Sequence, residues 1–325
     1  LALAIDAHPR FPLVLAANRD EFFARPAAPL AWWRPDAARA DGAAVDGDAV
    51  DGDVVGVDAA DAVLGGRDLQ GGGTWCGLTQ HGRLAILTNI RRPGALRADA
   101  PSRGAIVTRW LRGGPEARDA ASFAAQLQRE SHSPFNLIAA DFGPACRSGE
   151  GSGDQAAVSP HWFWASSEVP WQPLAAGIHG LSNALLDTPW PKVVALKSAL
   201  AAALANARSA QSADQLEAPL FCALADRRIP PDAALPSTGV AIERERSLAS
   251  AFIRMPDAGY GTRCSTLIIG EATPQGLALD IIERSFDAAG RISGERRERI
   301  EGWPQPQPAD RPSLPAAPLQ AGTGV

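Results

Sequence analysis

A buried strand that ends in a block of charged and amide side chains is the feature that most constrains this chain. An apolar run, Leu13 to Ala17, is followed directly by the sequence Asn-Arg-Asp-Glu at 18–21. An apolar run of this length predicts a buried strand, so the polar block falls where a core meets a cleft or the solvent. Burying such groups is costly unless they are paired. The residues alone leave two interpretations open: an ion-paired strand end at the surface, or the wall of a functional site.

Two further apolar runs lead to a side-chain amide. Leu84 to Thr88 ends in Asn89, and the run from Ile178 to Ala184 contains Asn183 near its end. Side-chain amides donate hydrogen bonds to a developing oxyanion in many enzymes, and a carboxylate such as Asp20 can hold a nucleophile or an amine in place. Asn and Asp also favour turns, so each residue alone has a structural explanation. Their repetition at strand ends favours a common site.

The order of apolar and amphipathic segments predicts an α+β fold with antiparallel sheets, because strands occur at both ends of the chain with helices between them. Nothing resembles a linker between two cores, so a single domain is expected over residues 1–303. The predicted strands span 1–7, 11–17, 76–79, 84–89, 135–141, 161–165, 178–184, 248–254, 265–270 and 277–284, and the predicted helices span 103–112, 120–129, 188–208 and 212–225.

Three segments lack the pattern of a helix or strand. Residues 36–62 repeat Val-Asp-Gly-Asp units and are predicted to form a flexible acidic insertion. Calcium binding is the less favoured interpretation of this segment, because the spacing of the Asp residues does not match that of an EF-hand loop. The Gly-rich stretch at 65–73 is predicted to be a tight-turning loop, since it contains no phosphate-binding glycine motif. The Pro-rich tail at 304–325 is predicted to be disordered.

Charge and cysteine usage exclude several classes of protein. The net charge is -5 and no basic block is present, which argues against nucleic acid as a partner. No apolar run reaches the length of a transmembrane helix, so no membrane insertion is expected. Four cysteines, Cys76, Cys146, Cys222 and Cys264, are widely spaced without a zinc-ligand pattern. They predict reduced thiols in a cytoplasmic protein with no metal site and no cofactor.

Six blocks along the chain combine residues that rarely occur together. They are LAANRDEFFARP at 15–26, GGRDLQGGGTWCGLT at 65–79, GRLAILTNIR at 82–91, FNLIAAD at 135–141, GLSNALLDTPWPK at 180–192 and GYGTRCSTLI at 259–268. In content and order these blocks resemble the NRDE family, which includes transport and Golgi organisation protein 2. That family is similar to the N-terminal-nucleophile hydrolases of the choloylglycine hydrolase and penicillin V acylase group. The resemblance implies a four-layer α/β/β/α sandwich of antiparallel sheets.

The same resemblance implies roles for individual residues. In the hydrolases concerned, the nucleophile is a cysteine at the N-terminus whose own α-amine acts as the base. This chain begins at Leu1, about where the residue after that cysteine would fall, so the nucleophile is not in the sequence. Asp20 is implied to orient the amine, Asn89 and Asn183 to receive the oxyanion, and Arg263 to tune the charge near the nucleophile. The residues assigned to substrate binding are Asn18, Arg19, Glu21 and Trp75.

The first functional hypothesis is therefore hydrolysis of an amide C–N bond by a cysteine that precedes Leu1. The alternative is a non-catalytic protein that binds or traffics haem or an acyl lipid in the same cleft. Cys76 and Cys264 are expected to be core residues, since neither has a free α-amine beside it. A histidine or Met255 as a haem ligand is disfavoured, because the five histidines form no ligand motif. The oligomeric state is left open.

Overall fold

The computed structural model describes residues 1–35, 62–95, 100–143, 161–207 and 214–306. The predicted acidic insertion, apart from Ala62, and the predicted tail beyond residue 306 lie outside these ranges. In chain order the strands are β1 (Ala2–Ile5), β2 (Leu13–Phe22), β3 (Ala27–Trp33), β4 (Val63–Asp68), β5 (Cys76–Leu78), β6 (Arg83–Asn89), β7 (Phe135–Asp141), β8 (His161–Ser166), β9 (Gln172–Pro173), β10 (Gly177–Gly180), β11 (Arg254–Met255), β12 (Tyr260–Thr273), β13 (Gly276–Phe286) and β14 (Ile292–Trp303). The α-helices are α1 (Gly104–Arg112), α2 (Ala120–Arg129), α3 (Pro191–Asn206), α4 (Asp214–Leu224) and α5 (Ile242–Ser247).

These strands form two seven-stranded sheets. The first sheet has the order β10-β1-β2-β12-β13-β14, with the short β11 paired to β12. The second has the order β3-β4-β5-β6-β7-β8-β9, so its strands follow the chain from one edge to the other. Every neighbouring pair in both sheets is antiparallel.

The two sheets face each other across the largest apolar cluster. Leu15 of β2 and Ile268 of β12 meet Ile86, Ile138 and Trp164 of the second sheet there. Side chains of a strand alternate between its two faces, and β2 follows this rule: Leu13, Leu15 and Ala17 face the second sheet, whereas Val14 and Ala16 face away from it. The inner faces of the two sheets therefore form one continuous core.

Helices cover both outer faces. Leu200 of α3 and Leu220 of α4 pack with Val14, the outward neighbour of Leu15, on the first sheet. Ile106 of α1 and Phe123 of α2 pack on the outer face of the second sheet. The layers are thus α3/α4, first sheet, second sheet and α1/α2. The predicted α+β class with an α/β/β/α arrangement of antiparallel sheets is confirmed.

The first sheet has a step, a place where the strands on one side of β2 stop while β2 itself continues. Ala2 of β1 pairs with Ala16 of β2 and with Gly180 of β10. Strand β1 therefore begins, and β10 ends, close to Leu1. Strand β2 runs on to Phe22 and stays paired with β12 on its other side. Residues 18–22 consequently have a strand on one side only, and the side beyond Leu1 is open.

Several predicted elements are confirmed with shifted ends. The opening hairpin is β1 and β2, the hairpin at 76–90 is β5 and β6, and the four predicted helices are α1 to α4. The predicted strand at 178–184 ends at Gly180, so Asn183 lies in the loop that follows β10 and not at a strand end. The prediction fails there because Asp187 bonds back to the backbone N–H of Gly180 and turns the chain.

The predicted strand at 248–254 is wrong. Helix α5 ends at Ser247, and only Arg254 and Met255 pair, with β12. The apolar residues Phe252 and Ile253 are buried without belonging to a long strand. Side chains of the neighbouring strands satisfy this backbone instead, as when Thr262 accepts a hydrogen bond from the Ile253 N–H at 2.9 Å.

The glycine-rich stretch is also not a simple loop. Gly65 and Gly66 lie inside β4, and a Cβ on Gly66 would fall 2.3 Å from the Trp75 ring. Glycine is needed at this position because an indole ring occupies the space of a side chain, not because the chain turns. The tight turn lies further on, at 69–73, where Gly72 has a φ of 74°.

Strand β14 is not apparent from the sequence, because six of its twelve residues are Arg or Glu. Arg297 and Arg299 form ion pairs with Glu217 and Asp280 on the exposed face, so the charges cover the edge of the sheet. Charged side chains are one way in which proteins protect an edge strand from pairing with another chain. Trp303 ends the strand and is fully buried.

Trp303 is expected to be the main link between the edge of the first sheet and the second sheet. Its indole N–H donates to the carbonyl of Thr79 at 2.7 Å, and its ring packs on Phe142 with centroids 4.6 Å apart. Trp303→Ala should lower the free energy of unfolding by about 3–5 kcal/mol through the cavity it leaves. Trp303→Phe should cost about 1–3 kcal/mol, since it leaves the Thr79 carbonyl without its donor.

Urea denaturation of the purified variants measures both effects. Ile292→Ala on the same strand is the matched control, because Ile292 is 60% exposed and its truncation should change stability by less than about 0.5 kcal/mol. A Trp303→Ala chain as stable as the Ile292→Ala chain would show that this link contributes little.

Candidate active site

A cavity of about 530 Å³ opens at the step in the first sheet. Its wall is built from the start of β1, the extension of β2, the loop after β4, the end of β6, the start of α1, the loop after β10 and the first turns of α3. Seven of the eight residues predicted for the site line it together with Leu1. They are Asn18, Arg19, Asp20, Glu21, Trp75, Asn89 and Asn183.

Asp20 is the buried acid of the cavity. Its carboxylate accepts a hydrogen bond from the Thr262 hydroxyl at 2.6 Å, on the neighbouring strand β12. Burial raises the pKa of Asp20 above its usual range, and the positive charge of Lys192 opposes that rise. A carboxylate in this position can accept a proton or orient an amine, because its ionised and neutral forms are closer in energy than in water.

The two predicted oxyanion amides are held beside each other. The side-chain N–H of Asn183 donates to the backbone carbonyl of Asn89 at 2.9 Å, and the backbone N–H of Arg91 donates to the carbonyl of Asn183 at 2.8 Å. A carboxamide carries two N–H donors, so Asn183 keeps one for a ligand. The buried Asn136 ties down the same loop through a hydrogen bond to the carbonyl of Ala184 at 2.8 Å.

The substrate-binding residues predicted on β2 point in two directions. Arg19 faces the second sheet, where its guanidinium stacks on the Trp75 ring at 4.1 Å. Asn18 faces the helices: its amide donates to the carbonyls of Leu224 and Ala251 and its oxygen accepts from Ser265 at 2.6 Å. Asn18 therefore anchors β2, and its polar atoms are used by the protein itself.

Glu21 lies on the same face of β2 as Arg19. One oxygen of its carboxylate accepts from the Phe22 backbone N–H at 2.9 Å, and the other lies 3.9 Å from the guanidinium of Arg25. Arg25 also binds Asp68 at 2.8 Å. Glu21 thus belongs to a chain of charges that crosses from the first sheet to the loop after β4.

Arg263 is not among the residues that line the cavity. The pairing of β12 with β2 shifts between Thr262 and Cys264, so Arg263 is the extra residue of a β-bulge, and a bulge re-aims its side chain. The guanidinium donates to the carbonyls of Phe22 at 2.8 Å and Arg25 at 3.0 Å. Its contacts hold the turn after β2, which differs from the predicted place near the nucleophile.

Lys192 is a residue of the site that sequence reasoning missed. It stands in the first turn of α3 and lines the cavity, where its ammonium donates to the Leu248 carbonyl at 2.9 Å. Burial lowers the pKa of Lys192 from 10.5 to about 8, and the charge of Asp20 works against this fall. The signal in the sequence was its position at the end of the block GLSNALLDTPWPK, in a chain with only two lysines.

The two buried cysteines near the cavity, Cys76 and Cys264, are not activated. Cys76 lines the cavity, and burial raises its pKa to about 12. Cys264 is buried on β12, and burial raises its pKa well above the usual value as well. The thiolate is the nucleophilic form of cysteine, so both remain unreactive thiols at neutral pH. Their burial agrees with the core role expected for them.

Other groups that could bind a metal or an iron cofactor do not meet here. The described lining residues include neither a histidine nor Met255. Within the described ranges no group of three or more His, Cys, Asp or Glu residues could hold a metal ion. The wall described here therefore lacks the histidine and methionine ligands that bind haem most often. No helix in the described part of the chain has the length and apolar character to cross a membrane.

The described residues define an α+β protein of the α/β/β/α sandwich class, with a polar cavity beside Leu1. Comparison with known proteins assigns this chain to a family. The family described as Transport and Golgi organisation 2 matches residues 1–45 and 54–288. The chain belongs to this family, which confirms the resemblance drawn from the six blocks.

Curated relatives agree with this assignment. The Transport and Golgi organization protein 2 homolog of Bos taurus is 33% identical over 270 residues, covering 81% of this chain and 83% of that protein. The homolog of Homo sapiens is 31% identical with the same coverage. The Drosophila melanogaster protein of that name is 26% identical over 282 residues, covering 81% of this chain and 84% of the relative.

The lowered pKa of Lys192 predicts a pH dependence of stability. Because the folded-state pKa is about 8 and the ordinary value is 10.5, the unfolded chain binds more protons than the folded chain between these pH values. The free energy of unfolding should therefore rise with pH across this window, by up to about 3 kcal/mol relative to a Lys192→Met variant. Denaturation midpoints measured from pH 7 to 10.5, at constant ionic strength, give the difference.

Lys197→Gln is the matched control for this prediction. Lys197 is the other lysine of the chain, and it forms an exposed ion pair with Asp187 of the loop before α3. The Lys197→Gln chain should keep the rise in stability, and the Lys192→Met chain should lose it. Equal pH dependence of the original and Lys192→Met chains would contradict the burial of a charged ammonium at this site.

Proposed function

We propose that this cavity is the active site of an N-terminal-nucleophile-type hydrolase that cleaves an amide C–N bond. The nucleophile in this proposal is a cysteine directly before Leu1. One observation carries it. The backbone nitrogen of Leu1 donates to the Leu181 carbonyl at 2.8 Å, and this continues the ladder of β1 with β10. A peptide N–H at Leu1 makes the same bond when a residue precedes it.

The register of the strands supports the position of that cysteine. Since Ala2 pairs with Ala16, the residue before Leu1 falls opposite Asn18, at the step in the sheet. Leu1 packs on the core between the sheets and Ala2 on the core beneath α3 and α4. Side chains alternate along a strand, so the preceding side chain shares the helix-facing side with Ala2. Asp20 lies on that side of β2, near the ammonium of Lys192.

The proposed chemistry follows from these neighbours. The α-amine of the cysteine takes the proton of its thiol, and the sulfur attacks the carbonyl carbon of the amide. The oxyanion that forms accepts hydrogen bonds from the side-chain amides of Asn89 and Asn183. The C–N bond then breaks, and the leaving amine takes the proton from the α-ammonium. Water, deprotonated by the same amine, hydrolyses the thioester and releases the acid.

Other residues of the wall support this reaction in the proposal. Asp20 orients the α-amine, and its own hydrogen bond from Thr262 fixes the direction of its carboxylate. Arg19, Glu21 and Trp75 contact the part of the substrate that lies between the sheets. Arg263 acts as a positioning residue, because it holds the turn that follows Glu21 and Phe22.

A non-catalytic role in binding or trafficking an acyl lipid is the second candidate. The wall includes apolar surface from Trp75, Ile86, Leu87, Leu181 and Leu196, which suits an acyl chain. Haem is the less supported ligand, because no histidine or methionine belongs to the described wall. The word transport in the names of the relatives agrees with this candidate and says nothing of its ligand.

We further propose that the protein works in a reducing compartment, as the cytoplasm is. Cys76, Cys222 and Cys264 are free thiols, and Cys222 is exposed. Free thiols on a protein surface persist where disulfides are kept reduced.

The hydrolase proposal predicts a covalent intermediate on the added cysteine. A gene that encodes Met-Cys before Leu1 should give a protein that has lost the methionine, since a blocked amine cannot act as the base. Incubation with p-nitrophenyl acetate should then add one acetyl group to the N-terminal cysteine, seen by intact mass and peptide mapping. Asp20→Asn should slow this acylation about 100-fold or more.

A chain with serine in place of the added cysteine is the matched control, because it keeps the α-amine and loses the thiol. It should gain no acetyl group at the same rate. Acetylation that is equally fast with serine, or that is found on Cys222, would contradict the proposal. Binding of an acyl lipid without acylation would favour the second candidate.

A further inference from the structure

Two arginines on the cavity wall lack a carboxylate partner. Arg19 and Arg103 both line the cavity, and neither forms an ion pair within 4.0 Å among the described residues. The Trp75 ring is the contact of Arg19. Arg103 donates one hydrogen bond, to the neutral carbonyl of Pro134 at 3.2 Å.

The acids nearby are already engaged. Asp68 binds Arg25 and also accepts from the backbone N–H of Gly71 at 3.0 Å. Glu21 accepts from the Phe22 backbone N–H and lies 3.9 Å from Arg25, while its charge also acts on Arg103. Glu283 is buried, and its carboxylate accepts a hydrogen bond from the Leu30 N–H at 2.8 Å. The charge of Arg19 also acts on this carboxylate.

Arg19 and Arg103 belong to segments that meet at one junction of the fold. The backbones of Gly73 and Gly104 touch: a Cβ on Gly73 would fall 2.4 Å from the carbonyl carbon of Gly104. Arg103 directly precedes Gly104, and Trp75, on which Arg19 stacks, comes two residues after Gly73. Strand β2, the loop before β5 and the start of α1 thus meet at this junction, and both arginines line the cavity that they enclose.

Holding two unpaired cations in a partly closed cavity is unfavourable without a counter-charge. Burial lowers the pKa of Arg103 from its ordinary value; the charge of Glu21 opposes this fall without reversing it, and Arg25 adds to it. An arginine fork matches the two oxygens of a carboxylate or phosphate, so that these groups are its favoured partners.

We propose that Arg19 and Arg103 form a subsite for the oxyanion of a small-molecule ligand, a carboxylate or a phosphate. This inference depends on the proposed function only for the position of the reacting amide. The reacting amide would be at the step beside Leu1 and Asp20, and the anionic group at the junction of β2 and α1. The substrate class is then an amide that carries an anionic group away from its scissile bond.

Binding to the full 325-residue chain tests the subsite without any turnover. The probes are hippurate, hippuramide and inorganic phosphate, each followed by isothermal titration calorimetry. Hippurate and hippuramide share an amide and a ring and differ in the carboxylate. Hippurate should bind at least about 10-fold more tightly, as expected for a charge-assisted hydrogen bond. Phosphate binding that competes with hippurate would show that both kinds of oxyanion are accepted.

Variants assign the effect to the two arginines. Arg19→Gln and Arg103→Gln should each weaken hippurate binding about 10-fold or more and leave hippuramide binding within about 3-fold. Arg112→Gln removes the same charge from an exposed position at the other end of α1 and should leave both affinities unchanged. Arg19→Lys and Arg103→Lys keep the charge without the fork and should give intermediate affinities, and thermal melting verifies that each variant is folded.

Three results would overturn the subsite: no measurable binding of hippurate and phosphate, equal affinity for hippurate and hippuramide, or a loss in Arg112→Gln as large as in the other variants. The outcome is independent of the acylation experiment. A failed subsite shows in these affinities whether or not the acetyl-enzyme forms, and a failed hydrolase shows in the acylation whether or not hippurate binds.

Discussion

One-sided strand pairing beyond Leu1 is the constraint on which the site depends. Strands β2 and β12 stay paired as far as Phe22, whereas the pairing of β1 with β10 stops at Ala2 and Gly180. The backbone of residues 18–22 therefore borders a gap in the sheet. Asn183 and its loop close part of this gap through hydrogen bonds to the second sheet. The remaining space is the cavity, and its polar wall follows from where the sheet stops.

The charges around this gap are costly to bury, and they compensate one another only in part. Burial pushes the pKa of Asp20 up and that of Lys192 down, while each charge stabilises the other. Arg25 and Asp68 form a direct ion pair. Arg19 and Arg103 have no such partner among the described residues, so the balance at this end of the cavity is positive. A chain with a net charge of -5 thus presents a locally cationic wall to a ligand.

The sequence was sufficient for features that depend on local pattern. The apolar run before Asn18, the helix periods and the six blocks predicted the layers, the family and seven lining residues. Features that depend on long-range pairing were missed. The bulge that turns Arg263 away arises from the register of β12 on β2. Strand β14 has no apolar alternation, because cross-strand ion pairs cover its exposed face. Lys192 reaches the cavity only because α3 packs across β1.

The decisive measurement is a crystal structure of the chain with a cysteine before Leu1 and an unchanged Asp20, flash-cooled after brief reaction with p-nitrophenyl acetate. The account predicts an acetyl group on that sulfur, opposite Asn18, with its carbonyl oxygen facing the amides of Asn89 and Asn183. A cysteine that points away from the gap into solvent, or an acetyl group on Cys76 instead, would contradict the account.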